Sequence, residues 1–219
     1  MEKQIHPLLT ASLLLFIVLC PFSSEWLHRD SKTILRPLPQ PPGQSVVKDK
    51  SVFESPAYWN ALRFLREHRF AFKNKRYITI IDYTKPSTTK RFYLIDMESG
   101  AVRKYLVAHG KNSGWVYATH FSNLPESFQS SKGFFKTGNG YSGKLGICLE
   151  LHGLEKGVND NALSRGIIIH GAHYASGNTI AVNHGRLGRS LGCPAIPKEC
   201  VREVIDKIKG GSLLYIYGK

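Results

Sequence analysis

Apolar positions fall into one early block and then into short repeats. Leu8 to Cys20 is apolar apart from Thr10 and Ser12. That length suits the hydrophobic region of a secretory signal, roughly 7–15 residues, better than a full membrane span. Further on, Tyr58, Leu62 and Leu65 recur at helical spacing, with Arg63, Arg66 and Glu67 between them. Ser55 as N-cap and Pro56 at the first helical position predict a helix from there to about Arg69. Tyr77–Asp82 and Arg91–Asp96 are β-branched and aromatic, Glu98-Ser99-Gly100 is a turn, and Val102–His109 follows as a third strand, which predicts an antiparallel meander. Residues 110–144, rich in Gly, Ser, Asn and Lys, read as long loops. Leu145–Leu151 and Gly166–His170 read as further strands. Pro197 opens a helix with Val201, Val204, Ile205 and Ile208 on one face and Gly210 as its stop, and Ser212–Tyr217 is a closing strand. There is no internal repeat. The pattern predicts a mostly β fold, an antiparallel β sandwich or barrel with a few packed helices.

Composition sharpens this picture. Of 219 residues, 42% are hydrophobic and 21% charged, which excludes a wholly disordered chain and a highly charged coiled coil. Twenty Gly and eleven Pro suit loops and strands. We read residues 1–24 as a signal peptide or N-terminal membrane anchor, 25–54 as a Pro-rich spacer and 55–219 as one folded domain. The cleavage signal is weak: Pro21 follows Cys20, and Ser23 and Ser24 replace the usual small-residue site. Leu19 stands where a lipoprotein signal carries a small residue. The spacer includes Pro37-Leu38-Pro39-Gln40-Pro41-Pro42-Gly43, which cannot form a regular helix. Removing residues 1–20 takes away Glu2 and Lys3 together, so the net charge of +14 belongs to the exported part. Such a charge predicts an anionic partner. Export and the lack of basic–aromatic interleaving argue against nucleic acid.

The chemistry concentrates in two stretches. Gly166-Ile167-Ile168-Ile169-His170-Gly171-Ala172-His173 is an apolar strand ending in histidine. Gly188-Arg189-Ser190-Leu191-Gly192-Cys193-Pro194-Ala195 is a glycine-rich turn holding a cysteine. A free thiol has a pKa near ~8.5 and needs a base to act as a nucleophile at neutral pH. A histidine within reach can take its proton and return it to a leaving amine. The N–H groups of Gly192 and Cys193 can face a developing oxyanion. By spacing alone, a nucleophile–base pair and a buried core cysteine both remain open. A zinc set of His170, His173, His184 and Cys193 is disfavoured, because H-x-x-H at a strand end is no zinc-peptidase helix and the chain has no H-E-x-x-H. No metal is expected. Cys148 reads as a buried strand residue and Cys200 as a core residue of the last helix; a Cys193–Cys200 disulfide would silence the nucleophile.

These motifs resemble the active-site signature of the YkuD-type murein L,D-transpeptidases, in the branch reading H-G-A … G-R-S-x-G-C-P-A. The resemblance continues through His109-Gly110, Phe121-Ser122-Asn123, Tyr141-Ser142-Gly143-Lys144-Leu145-Gly146, Leu154-Glu155-Lys156-Gly157 and Asn159-Asp160, over roughly residues 57–217. It implies a domain of the L,D-transpeptidase type, with Cys193 as nucleophile, His170 as general base and acid, and the Gly171 carbonyl orienting the imidazole. It also implies Gly192 and Cys193 as the oxyanion turn, and Ser190, Arg189 and His173 as pocket or substrate-binding residues. His109, His120 and His184 are left without a role. Leu191 replaces the histidine of the commoner S-H-G-C form, Pro194-Ala195 departs from its apolar-Asn pair, and the longer gap from His170 to Cys193 implies an extra loop over the site. The implied reaction needs no cofactor. Its partner is a peptidoglycan stem peptide, its place the cell envelope outside the cytoplasm (the periplasm), secreted or tethered to the membrane by the N-terminal segment, and carbapenems are the implied inhibitors. Alternatives are an L,D-carboxypeptidase or amidase using the same pair, and a non-catalytic basic wall-binding module.

Overall fold

A computed structural model describes residues 49–219. The signal or anchor (1–24) and all but the last residues of the spacer lie outside them. The described chain starts with a helical turn, α1 (Lys50–Phe53), capped by the Asp49 carboxylate. Helix α2 (Pro56–Glu67) begins as its sequence requires: Pro56 has no N–H to leave unpaired, and the Ser55 hydroxyl accepts from the Tyr58 N–H at 3.2 Å.

Eight strands follow: β1 (Tyr77–Asp82), β2 (Phe92–Asp96), β3 (Val102–Tyr105), β4 (Gly133–Gly143), β5 (Gly146–Gly153), β6 (Ile168–Gly171), β7 (Ala195–Ile196) and β8 (Leu213–Tyr217). They form one sheet in the order β3-β2-β1-β8-β4-β5-β6-β7. The pairings are antiparallel except β1 with β8 and β6 with β7. The expected meander is therefore present as β1-β2-β3. The mixed sheet curls until its two edges meet. Just past β3, Ala108 bridges to Ala195 of β7, its N–H donating to the Ala195 carbonyl at 2.8 Å and its carbonyl accepting at 3.4 Å. The result is nearly a closed barrel.

Strand alternation sorts the apolar residues between two helices. Ile78 and Ile80 of β1, Tyr93 and Ile95 of β2, and Leu213 and Tyr215 of β8 pack on the α2 side with Ala57, Tyr58 and Ala61. Residues at the alternate positions, Ile81, Phe92, Leu94, Leu214 and Ile216, face the other way. There they meet α4 (Lys198–Ile208), which buries Val201, Val204, Ile205 and Ile208. This is the 3.6-residue stripe legible in the sequence. Arg103 of β3 pairs with Glu203 of α4 and ties the helix to the sheet edge.

Two expectations are corrected. The third strand stops at Tyr105, because residues 106–109 turn toward β7. Residues 133–143, expected as loop, form the long strand β4, paired with β5 on one side and β8 on the other. Its glycines lower its intrinsic strand tendency, but ladders on both sides override that. Among the described residues, no helix is long and apolar enough to cross a membrane.

Phe135 of β4 is fully buried against β8 and the α4 face. Phe135→Ala should lower the unfolding free energy by about 3–5 kcal/mol in urea denaturation, without changing the transition's slope.

Candidate active site

Strand β6 ends at His170-Gly171, with His170 between Cys148 of β5 and Ala195 of β7. Cys193 lies two residues before Ala195. Pairing of β6 with β7 therefore brings together the two residues that the sequence separates. Both line a cleft of about 860 Å³.

The His170 ring is buried, with Nδ1 3.2 Å from the Gly171 carbonyl. A carbonyl only accepts, so Nδ1 carries the proton and Nε2 keeps a free lone pair. Burial holds the imidazole below its usual pKa of 6.5, although the Gly171 bond works the other way. The Cys193 thiol is half-buried and donates to the Gly166 carbonyl at 3.4 Å, not to His170. Burial pushes its pKa up, with the Ile168 N–H and Arg165 opposing that rise. Desolvation thus acts with opposite sign on the two groups and favours the neutral thiol beside the neutral imidazole. Cys148, Cys193 and Cys200 are all free thiols.

The turn carrying Cys193 is braced from within. The Ser190 hydroxyl donates to the Cys193 carbonyl at 2.6 Å and accepts from the Gly192 N–H at 3.1 Å. The Gly192 N–H is therefore occupied in this structure, whereas the Cys193 N–H has no acceptor elsewhere among the described residues. Gly192 has φ +129°, and a Cβ there would lie 2.9 Å from the Gln129 carbonyl oxygen, so only glycine fits. Ser190 is almost fully buried, braces the turn and lines the cleft.

A second layer holds that brace. The Ser130 hydroxyl donates to the Gly192 carbonyl at 3.0 Å and accepts from the Gly110 N–H at 2.9 Å. The Ser190 N–H donates to the His109 carbonyl at 2.9 Å, and the Lys111 N–H to the Ser190 carbonyl at 2.8 Å. His109 is fully buried, and burial with Arg91 beside it lowers its pKa to about 4. The neutral ring accepts from Arg91 Nη2 at Nδ1 (2.6 Å) and donates from Nε2 to the Gly114 carbonyl (3.3 Å). Arg91, also fully buried, donates to the carbonyls of Val107 and Lys85 as well. Burial lowers its pKa to about 10, still a cation at neutral pH.

The remaining sequence candidates divide. His173 lines the cleft from a 3-10 turn, where its Nε2 accepts from Lys198 Nζ at 3.0 Å. Arg189 also lines it, with Nη1 donating to the carbonyls of Lys111 and Gly114 at 2.9 and 3.2 Å. His120 and His184 do not line it. The segment between His170 and Cys193 forms a wall, through His173, Tyr174 and Arg189, and its short helix α3 (Gly177–Val182) stays outside the lining. Sequence reasoning missed Arg165, which lines the cleft and pins residues 122–131 by donating to the Ser122 and Gln129 carbonyls and the Ser127 and Ser131 hydroxyls. It also missed Ser130 and Arg91. Only Arg91 carried a signal, as a cation heading an apolar strand. The cleft's basic side chains are Lys144, Arg165, Arg189, Lys198 and Arg202, and no Asp or Glu lines it. Among the described residues, no group of three or more His, Cys, Asp and Glu side chains is placed to hold a metal ion.

A curled, nearly closed sheet that sets a histidine strand end beside a braced glycine–cysteine turn defines a class of Cys–His domain. The L,D-transpeptidase catalytic domain family matches residues 49–217, and the chain belongs to that family. Among solved structures, an L,D-transpeptidase from Mycobacterium smegmatis is similar at 12% identity and TM-score 0.41, over 65% of this chain and 59% of that one. The L,D-transpeptidase LdtMt1 in complex with imipenem gives 12% and 0.40, over 65% and 59%. A mutant of the helical cell shape determining protein Pgp2 from Campylobacter jejuni gives 15% and 0.40, over 73% and 53%. The chain thus spans less than two thirds of the length of these neighbours. No curated protein sequence matches it.

The raised thiol pKa gives an expected pH profile. Alkylation of Cys193 by iodoacetamide should be slow at pH 7 and keep rising through and beyond the ordinary thiol range; a plateau already reached near pH 6 would show a preformed thiolate. Gly192→Ala should lower stability by ~1–3 kcal/mol in urea denaturation, because the strained φ and the Gln129 contact act together.

Proposed function

We propose that the protein is an exported cysteine acyltransferase that acts on peptidoglycan stem peptides. The observation that carries this reading is the meeting of Cys193 and His170 in one cleft with five basic side chains and no acid. Such a cleft suits a peptide rich in carboxylates.

In the proposed reaction, the Cys193 thiol leaves the Gly166 carbonyl and passes its proton to His170 Nε2. Sulfur attacks the carbonyl of the third-position diamino acid of a tetrapeptide stem. Negative charge developing on that oxygen meets the Cys193 N–H. For Gly192 to contribute as well, its N–H must first leave Ser190. The C–N bond breaks, D-Ala leaves with the proton from His170, and a thioester remains on Cys193. An amine of a second stem or of a protein then attacks the thioester, giving a 3→3 cross-link or a protein attachment. Gly171 holds the histidine in the tautomer that this sequence needs. Ser190 fixes the turn, and Arg189 and His173 offer donors to the substrate. The thiol supplies the chemistry, so no cofactor enters. On this reading residues 1–24 direct export or anchor the chain, and the spacer lets the domain reach the wall.

The test is product analysis by mass spectrometry with a disaccharide-tetrapeptide. Wild type should give dimers carrying a 3→3 bond, and Cys193→Ala and His170→Ala should lower turnover by at least about 10³-fold. Cys193-dependent tripeptide without dimers would assign a carboxypeptidase instead. No change in the substrate would overturn the reading.

A further inference from the structure

A second pocket, of about 250 Å³, lies against the cleft, and Arg189 lines both. Trp115 forms one of its sides and is 62% exposed. The Arg189 and Arg186 guanidinium carbons lie 4.1 and 5.0 Å from the Trp115 ring centroid. Lys111 also lines the pocket, with Nζ 4.0 Å from the Phe128 ring. Three cationic residues thus line one small pocket, and no Asp or Glu does. Among the described residues none of the three is in a salt bridge, and the Arg186 guanidinium donates no hydrogen bond. Arg189 is held in place through Nη1 alone, which leaves its Nε and Nη2 donors free.

Like charges gathered without a counterion repel, and an anion in the pocket would relieve that repulsion. Arginines stacked on an aromatic ring are preorganised to hold a carboxylate through paired N–H donors. Volume decides what kind of anion group fits. Small-ligand pockets run to roughly 300–1,000 Å³, so this one takes the charged part of a ligand whose body lies elsewhere. The shared Arg189 places that body in the reaction cleft.

We propose that the pocket formed by Trp115, Arg186, Arg189 and Lys111 is a carboxylate-binding subsite, which receives a free carboxylate of the acidic peptide occupying the reaction cleft. The proposal rests on the acyltransfer reading above, since it assigns the pocket to the same substrate. Arg186 and Lys111 do not line the reaction cleft, so the subsite contributes binding and register, not chemistry.

The experiment is a fluorescence titration of full-length Cys193→Ala protein with the disaccharide-tetrapeptide, using Trp115 as reporter and Trp115→Phe as the blank for Trp26 and Trp59. Binding should change the Trp115 signal and weaken as salt rises. Arg186→Gln and Lys111→Gln, each added to Cys193→Ala and checked for folding by circular dichroism, should each weaken binding by about tenfold. A tetrapeptide with its carboxylates amidated should bind the parent that much more weakly and lose its sensitivity to Arg186→Gln. Inorganic phosphate at millimolar concentration should compete poorly; equal competition would make the site a general anion site and overturn the carboxylate assignment. Unchanged affinity in both variants, with turnover of tetrapeptide by wild type intact, would overturn the subsite and leave the acyltransferase standing. No binding and no turnover would overturn both.

Discussion

The pairing of residues 108–111 with 190–195 is the constraint on which the site depends. It closes the curled sheet at Ala108 and Ala195, and it fixes Ser190 between His109 and Lys111. Ser190 in turn holds the Gly192 N–H and the Cys193 carbonyl. The cysteine turn is therefore not a free loop but the last rung of the barrel closure. Buried Arg91 anchors the other side of that rung, through His109 and the Val107 carbonyl. A buried cation without a carboxylate partner is costly unless its donors are satisfied. Here carbonyls and a neutral imidazole take them, and the Tyr83 ring lies 4.6 Å from the guanidinium carbon. The arrangement trades flexibility for placement: any loss at Arg91 or His109 reaches Cys193 through three hydrogen bonds or fewer.

Electrostatics divides the site into a neutral centre and a cationic surround. Burial disfavours both thiolate and imidazolium, so the resting site holds a neutral thiol and a neutral imidazole. The surrounding basic side chains sit at the walls, where solvent still screens them. Arg165 connects the two zones, since it pins the 122–131 loop and lies near enough to Cys193 to favour the thiolate. Basic side chains thus line the cleft walls while the Cys193 thiol within them stays neutral.

Much of this was legible from residue pattern. The α2 cap, the α4 stripe and the β1-β2-β3 meander follow from spacing, because local periodicity and burial agree there. Cys193 and His170 were legible as candidates, but their meeting depends on β6–β7 pairing across an intervening segment that periodicity does not describe. The pattern of β4 reads as loop, since Gly133, Gly138, Gly140 and Gly143 hide a strand that only its two neighbours stabilise. Ser130 and Arg165 were not legible at all: each acts through backbone carbonyls and hydroxyls brought close by tertiary folding, and such contacts leave no mark on spacing. Gly192 and Ser190 were legible as turn residues, but the bond from the Gly192 N–H to the Ser190 hydroxyl was not, because it depends on how the turn folds back on itself.

The central claim is that the substrate becomes covalently attached to Cys193. Intact-protein mass spectrometry of wild type, quenched during turnover of the disaccharide-tetrapeptide, tests it most directly. The account predicts an adduct equal to the substrate less one alanine, located by digestion to the peptide holding Cys193 and absent from Cys193→Ala. Turnover that persists in Cys193→Ala, or an adduct located at another residue, would contradict it.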